Sequence, residues 1–500
     1  MTKEEMIIKY KSYRDQMKAI NYALYLISWD AETEAPSNSV EERSKQIGIL
    51  SEMSYKLERN EEYISIVKTL FEEKDCLDEL LKIEIKKVYK QLMQSLKIPM
   101  NELVDYSILL SKSHPIWVEA KLNSDFNLFK DTLKEIIDYN KRMVKYLETD
   151  NLKGYDVLLD EYEEGMTKEK YDKFFSLLKE EIVPLVKEIS SIRKEPNKLL
   201  QRTFSVEKQK KFADYLMDVM CYDKTRGLMK ESEHPFTSGF GTTDVRVTNH
   251  YYEDLLLSSI FSAIHELGHA TYEQQCDSSL NETLLTGGTS MAMHESQSRF
   301  YENIVGRSYP FWVKHYAKLQ EIFKEELKDI TLEEFYLYAN EVECSLIRTE
   351  ADELTYPLHV MVRYEIEKMI IEGDVNIDEL PAIWNRMYKD YLGVDVPNDK
   401  LGILQDVHWA GGSFGYFPTY ALGSAYGAQL LASMKKDLNF DEVVSMNNLK
   451  EVNEWLKEKI HKYGQTKTPD ELLQSSTGES FDAKYFVEYL KTKFKTIYKI

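Results

Sequence analysis

Apolar residues at Ile7, Tyr10, Met17, Ile20, Leu24 and Ile27 recur every three or four positions. That period lays one stripe of side chains along one face of an α-helix. The same period runs through "LKEIIDYNKRMVKYL" and "YDKFFSLLKEEIVPLVKEI", so the chain predicts a mainly helical fold. A short exception is Asp244-Val245-Arg246-Val247-Thr248, after Gly239 and Gly241. Its strict alternation predicts a strand with Val245 and Val247 toward the core. Such a strand either offers an edge to an extended peptide or closes a structural hairpin. Thr331-Leu332-Glu333-Glu334 has the form of a capping box and opens a helical pattern that stops near Gly373. Pro357 lies inside it and removes a backbone hydrogen bond, which predicts a kink or break after Thr355. Glycines gather from Gly402 through Gly411, Gly412, Gly415 and Gly423 to Gly427, marking a loop-rich segment able to approach a ligand closely.

The nearly continuous apolar run "LLLSSIFSAI" predicts a buried helix and leads straight into "HELGHATYEQQ". On a helix, His265 and His269 share one face one turn apart, close enough to bite one ion. Glu266 points about 100° away, where it can reach a water on that ion. With 10 histidines and 85 acidic residues among 500, chance supplies the H-E-x-x-H pattern about 0.03 times. The bland alternative is two hydrogen-bonded core histidines beside a solvent-facing glutamate. Catalytic zinc takes three protein ligands and keeps one open position. Tyr272 and Gln275 stand where the metzincin continuation needs Gly and His, which excludes that class. Glu295, behind the Gly287-Gly288 turn, is a candidate third ligand, with Glu282, Glu302 and His294 as rivals. Arg299, four residues after Glu295, is placed to orient it.

Length exceeds the size at which one compact core is usual, yet no Pro/Ser/Gly-rich spacer, low-complexity tract or repeat divides the chain. Residues 1–500 therefore predict one interwoven catalytic domain, two lobes flanking a groove. Lys+Arg of 64 against Asp+Glu of 85 gives a net charge of −21 without a basic block. That argues against nucleic acid or an anionic membrane as partner. The charged start "MTKEEMIIKYKSYRDQMK" and the lack of a membrane-length apolar run predict a cytoplasmic protein. Cys76, Cys221, Cys276 and Cys344 are widely spaced, as expected of free thiols.

Taken in order, His234-Pro235-Phe236, Asp244-Val245-Arg246-Val247-Thr248, His265-Glu266-Leu267-Gly268-His269 and His294-Glu295-Ser296-Gln297 resemble the motifs of the thermostable carboxypeptidase (carboxypeptidase Taq) family. Ile347-Arg348-Thr349-Glu350-Ala351-Asp352-Glu353 and Gly402-Ile403-Leu404-Gln405-Asp406-Val407-His408-Trp409 extend the resemblance. The N-terminal "WDAETEAP" is similar too, with Ala35 in place of an expected methionine. The resemblance implies a mainly α, long-helix, bundle-like peptidase fold with a deep substrate groove and a small antiparallel β-sheet near the metal. It also implies a homodimer, a zinc ion, with Co2+ or Mn2+ as substitutes, and Glu295 as third ligand beside His265 and His269. Peptides with a free C-terminus are then the expected substrates, with Glu266 as general base. His408 and Tyr420 are expected donors to the carbonyl oxygen. A guanidinium suits a terminal carboxylate because it binds both oxygens at once. Arg348 is the expected one, with Arg246 or Arg363 able to serve instead and His234 lining the same pocket. Against this, Arg348 could simply pair with Asp352 four residues on. The competing functions are a zinc oligopeptidase cutting internal bonds and a helical interaction protein with a structural metal.

Overall fold

A computed structural model of the chain describes residues 1–192, 196–373 and 375–500. Helices carry most of it, beginning with Lys3–Thr33, which Thr2 and Glu5 start with a reciprocal capping box. The periodic positions Tyr10, Met17 and Ile20 of that helix are buried. Tyr10 and Met17 join Tyr63, Ile66, Val67, Leu70, Leu81 and Ile85 in a small core of their own. The larger core runs from Ala120 to Ile497 and surrounds the HELGH helix.

That helix spans Leu256–Gln275, and its apolar run is buried as predicted, with Ile260, Phe261, Ala263, Ile264 and Leu267 at 3% exposure or less. A second helix, Met291–Arg299, packs against it closely enough that a Cβ on Gly268 would lie 2.8 Å from Ser298 Cα. A third, Pro418–Asp437, comes just as close: a Cβ on Gly423 would lie 2.7 Å from Glu295 Cβ. Only a residue without a side chain permits either approach.

Three short strands flank the HELGH helix: β1 Met229–Glu231, β2 Thr237–Gly239 and β3 Val245–Asn249. Val245 and Val247 are fully buried, as the alternation predicted. The sheet is mixed, however, not purely antiparallel. Its order is β1-β3-β2, with β2 antiparallel to β3 and β1 parallel to it. The reason is that β1 does not turn back directly into β3; residues 232–244 intervene and form β2 on the opposite edge.

The pattern from Thr331 breaks earlier and more widely than one proline explains. The capping box at Thr331 and Glu334 is present, but its helix ends at Ala339, and a new helix, Tyr356–Glu372, starts after an irregular stretch. Pro357 sits in the first turn of that new helix, where its missing N–H costs nothing. Asp352 caps the start by accepting from Leu354 N, Thr355 N and the Thr355 hydroxyl. This occupies Asp352 and removes the alternative in which Arg348 pairs with it within one helix: Arg348 lies in a 3-10 turn and pairs with Asp406 instead. No helix among the described residues is long and apolar enough to cross a membrane.

Candidate active site

His265 and His269 lie a turn apart on the Leu256–Gln275 helix, and Glu295 reaches them from Met291–Arg299. One donor atom from each falls within 4.8 Å of the others. Both Nε2 atoms are 3.8 Å from Glu295 Oε2, against the roughly 3.3 Å between neighbouring donors of a tetrahedral shell with bonds near 2.0 Å. A small contraction would bring the three donors to that spacing with a fourth position left open, so the donor set fits zinc or a similar divalent metal.

Partners behind the donors aim them. Glu302 Oε2 takes the Nδ1–H of His265 at 2.9 Å. His269 Nδ1 lies 2.6 Å from His294 Nδ1, and His294 Nε2 lies 2.7 Å from Glu273 Oε1. Arg299 bridges Glu295 (2.7 Å) and Glu302 (3.1 Å) while covering the Tyr356 ring. Two rivals for the third ligand, Glu302 and His294, thus stand one layer back, and Glu282 is exposed on a 3-10 turn. Glu302 lies on a π-helical turn, Phe300–Gly306. The Asn303 carbonyl of that turn is taken up by Lys493 Nζ at 3.0 Å. Burial alone would raise the Glu302 carboxyl, but Arg299, His265 and Arg307 outweigh it and hold it well below the usual range. Burial, with His294 and His265 nearby, keeps His269 neutral.

Glu266 is 7% exposed and held by Thr237 on β2, whose hydroxyl is 2.8 Å from Oε2. Burial raises its pKa against the pull of His265 and Thr237, which makes the carboxylate a stronger base.

The facing wall comes from the glycine-rich segment. His408 Nε2 is 3.3 Å from the Tyr420 hydroxyl, and Tyr416 packs edge-on against Tyr420. Burial and then Arg348 lower His408 to about 4, so its imidazole is neutral at neutral pH. Burial, Tyr416 and Tyr356 push Tyr420 well above its ordinary value, so it keeps its proton. Arg348, 5% exposed, lies 5.0 Å over the Tyr420 ring and gives Asp406 Oδ1 two hydrogen bonds of 3.0 and 2.9 Å. Arg363, wholly buried, grips the other Asp406 oxygen. Burial opposes the Asp406 charge, but Arg363 and Arg348 hold it far below the usual carboxylate range. Two cations on one anion leave this buried trio with net charge +1.

The remaining predicted residues belong to the sheet and its turns. Arg246 is bound at both ends by Asp244 and stacked near Tyr25 and Trp29, where it ties the first helix to the sheet. His234 is exposed in the turn between β1 and β2. Thr237, Glu273, Tyr356 and Tyr416 escaped the sequence reading. Tyr416 precedes Tyr420 by one helical period, a visible signal; the others have partners 8 to 57 positions away and carry none.

Known proteins resemble this chain along nearly its full length. Residues 9–494 match the family model described as carboxypeptidase Taq (M32) metallopeptidase. The chain belongs to this family. Carboxypeptidase 1 of Bacillus subtilis is 42% identical, the match covering 98% of each chain. Thermostable carboxypeptidase 1 of Pyrococcus furiosus is 36% identical over 99% of this chain and 98% of its own. The crystal structure of the M32 carboxypeptidase from Deinococcus radiodurans superposes with a TM-score of 0.95 at 30% identity, covering 99% of this chain and all of that one. Membership makes the chain a peptide hydrolase of the metallocarboxypeptidase kind, and the interaction-protein reading falls away.

Proposed function

We propose that the chain is a zinc-dependent carboxypeptidase in which His265, His269 and Glu295 hold the ion and Glu266 is the general base. The observation that carries this is the close approach of the three donor atoms with Glu266 beside them. When bound, the ion supplies Lewis acidity that makes water nucleophilic near neutral pH and polarises the scissile carbonyl. Glu266, steadied by Thr237, takes the proton of the attacking water and returns it to the departing amine. Tyr420 and the neutral His408 give hydrogen bonds to the carbonyl oxygen as negative charge develops there.

Arg348 binds the terminal carboxylate. It has five N–H donors, of which two go to Asp406 and one to the Tyr356 hydroxyl, so two remain for substrate. The +1 of the trio supplies the charge. Arg246 is already neutralised by Asp244, and Arg363 has no exposed surface. His234, on its exposed turn, completes the reading as a contact for the peptide. One interwoven domain, assembly as a homodimer and a cytoplasmic setting belong to the same reading.

The test is the product series from one unmodified peptide, run with metal analysis. Stepwise loss of single residues from the C-terminus with about one zinc per chain is expected; internal cuts would make the enzyme an oligopeptidase.

A further inference from the structure

Helix Tyr356–Glu372 carries polar residues along one buried stripe: Tyr356, Arg363 and Glu367. Each holds part of the opposite wall. Tyr356 accepts from Arg348, Arg363 grips Asp406, and Glu367 receives three donors at once. Those are the Tyr155 hydroxyl (2.5 Å), the Trp409 indole N–H (2.7 Å) and the Gly415 amide (2.8 Å). Glu367 is fully buried and has no ion pair among the described residues. Burial raises its carboxyl to about 7 against these hydrogen bonds. Such a group is expensive to bury, and an amide of the same shape cannot accept three hydrogen bonds without turning its own NH2 toward a donor.

The three contacts on the glycine-rich segment, at Asp406, Trp409 and Gly415, bracket His408. Among the described residues His408 Nδ1 has no hydrogen-bond partner, and Nε2 meets only the Tyr420 hydroxyl. Its place is therefore set by the loop around it together with ring packing on Phe417, 4.3 Å between centroids, and Tyr416 follows directly after the Gly415 anchor.

We propose that Glu367 is a positioning residue that casts the 406–415 loop onto the Tyr356–Glu372 helix, so that His408 meets the substrate in a fixed place. This rests on the reading of His408 as a donor to the carbonyl oxygen. Glu367 touches no substrate; it acts by keeping the donors aligned before the reaction begins.

The test compares metal-loaded wild type with Glu367→Gln, Trp409→Phe, His408→Ala and the pairs Glu367→Gln/Trp409→Phe and Glu367→Gln/His408→Ala. Glu367→Gln is expected to lower kcat about 10- to 100-fold while KM stays within about 3-fold and zinc content is unchanged. Trp409→Phe in that background removes the donor opposed by the new amide and is expected to recover part of kcat. Glu367→Gln is expected to add little to the loss from His408→Ala, because both act through one group. A wild-type kcat in Glu367→Gln beside an impaired His408→Ala overturns the positioning role alone, as does a loss that multiplies with His408→Ala. A wild-type kcat in His408→Ala overturns the donor reading and this proposal with it. Should Glu367→Gln not fold, Trp409→Phe alone decides: a smaller kcat-selective loss supports the role, and an unchanged kcat overturns it.

Discussion

The two walls of the site are built by different means. On the metal side, His265, His269, Glu266 and Glu295 project from two regular helices, and each donor is aimed by a neighbour in hydrogen-bond contact. On the arginine side, Arg348 comes from a 3-10 turn and His408 from a loop, and their order depends on buried charges from one distant helix. Helical geometry sets the spacing of the first set, and the neighbours only aim side chains already brought together. The second set has no local geometry of its own, so Asp406, Arg363 and Glu367 replace it with ion pairs and hydrogen bonds that only the folded state supplies. Loss of a residue on the metal side should thus act on chemistry or metal, and loss on the arginine side on recognition and alignment.

The sharpest separation is expected at Glu266. Glu266→Gln keeps the size and one hydrogen bond to Thr237 but removes the base, so turnover should fall on the order of 10²- to 10⁴-fold. Zinc content and peptide binding should stay as in wild type. Turnover within a few-fold of wild type would assign proton removal to another group.

Metal retention gives the next contrast. Glu295→Ala should lose zinc on dialysis, whereas Glu302→Gln should weaken affinity only about 10- to 100-fold, as expected of a partner that holds His265 without touching the ion. Competition with a graded chelator reads both. Equal retention in wild type and Glu295→Ala would remove Glu295 from the ligand set.

On the arginine side, amidating the substrate's C-terminus should cost roughly 30-fold or more in kcat/KM, and Arg348→Ala should impose a similar loss on the free acid. The two changes delete one interaction, so Arg348→Ala should treat acid and amide nearly alike. If Arg348→Ala still prefers the acid, carboxylate recognition moves to another cation.

The same division governs what could be read before folding. The helical character, the strand with Val245 and Val247 inward, and the histidine pair were legible because helix and strand periods are written in neighbouring residues. Glu295 was narrowed to a short list by spacing, and resemblance separated it from Glu302 and His294; the fold shows why all three competed, since each lies within one layer of the donors. Asp406 as the partner of Arg348, and Glu367 beneath the loop, join positions 58 and 42 residues apart. Nothing in local pattern marks such pairs. The parallel β1 strand was missed for the same reason, as register between strands depends on a connection and not on alternation within either.

The smallest expected effect concerns how the metal side is anchored. Glu163, fully buried, accepts from Ala292 N at the start of the Glu295 helix and from the Tyr426 hydroxyl on the Tyr420 helix, at 3.1 Å each. Burial raises its carboxyl from 4.5 to about 7 in spite of these contacts. A carboxyl raised on folding binds its proton more tightly in the native state than in the unfolded chain. Its contribution is therefore fully present below the unfolded pKa, near 4.5, and is lost as pH rises through about 7. A shift of this size corresponds to up to about 3 kcal/mol. Glu163→Gln has no such proton to lose. Thermal unfolding of wild type and Glu163→Gln, both stripped of metal and measured from pH 5 to pH 8, should show the wild type losing ground to the variant as pH rises. A constant difference across that range would mean that Glu163 is ionised throughout and anchors the Glu295 helix as a carboxylate. In that case the start of the Glu295 helix, like the arginine side, would be anchored by a buried carboxylate.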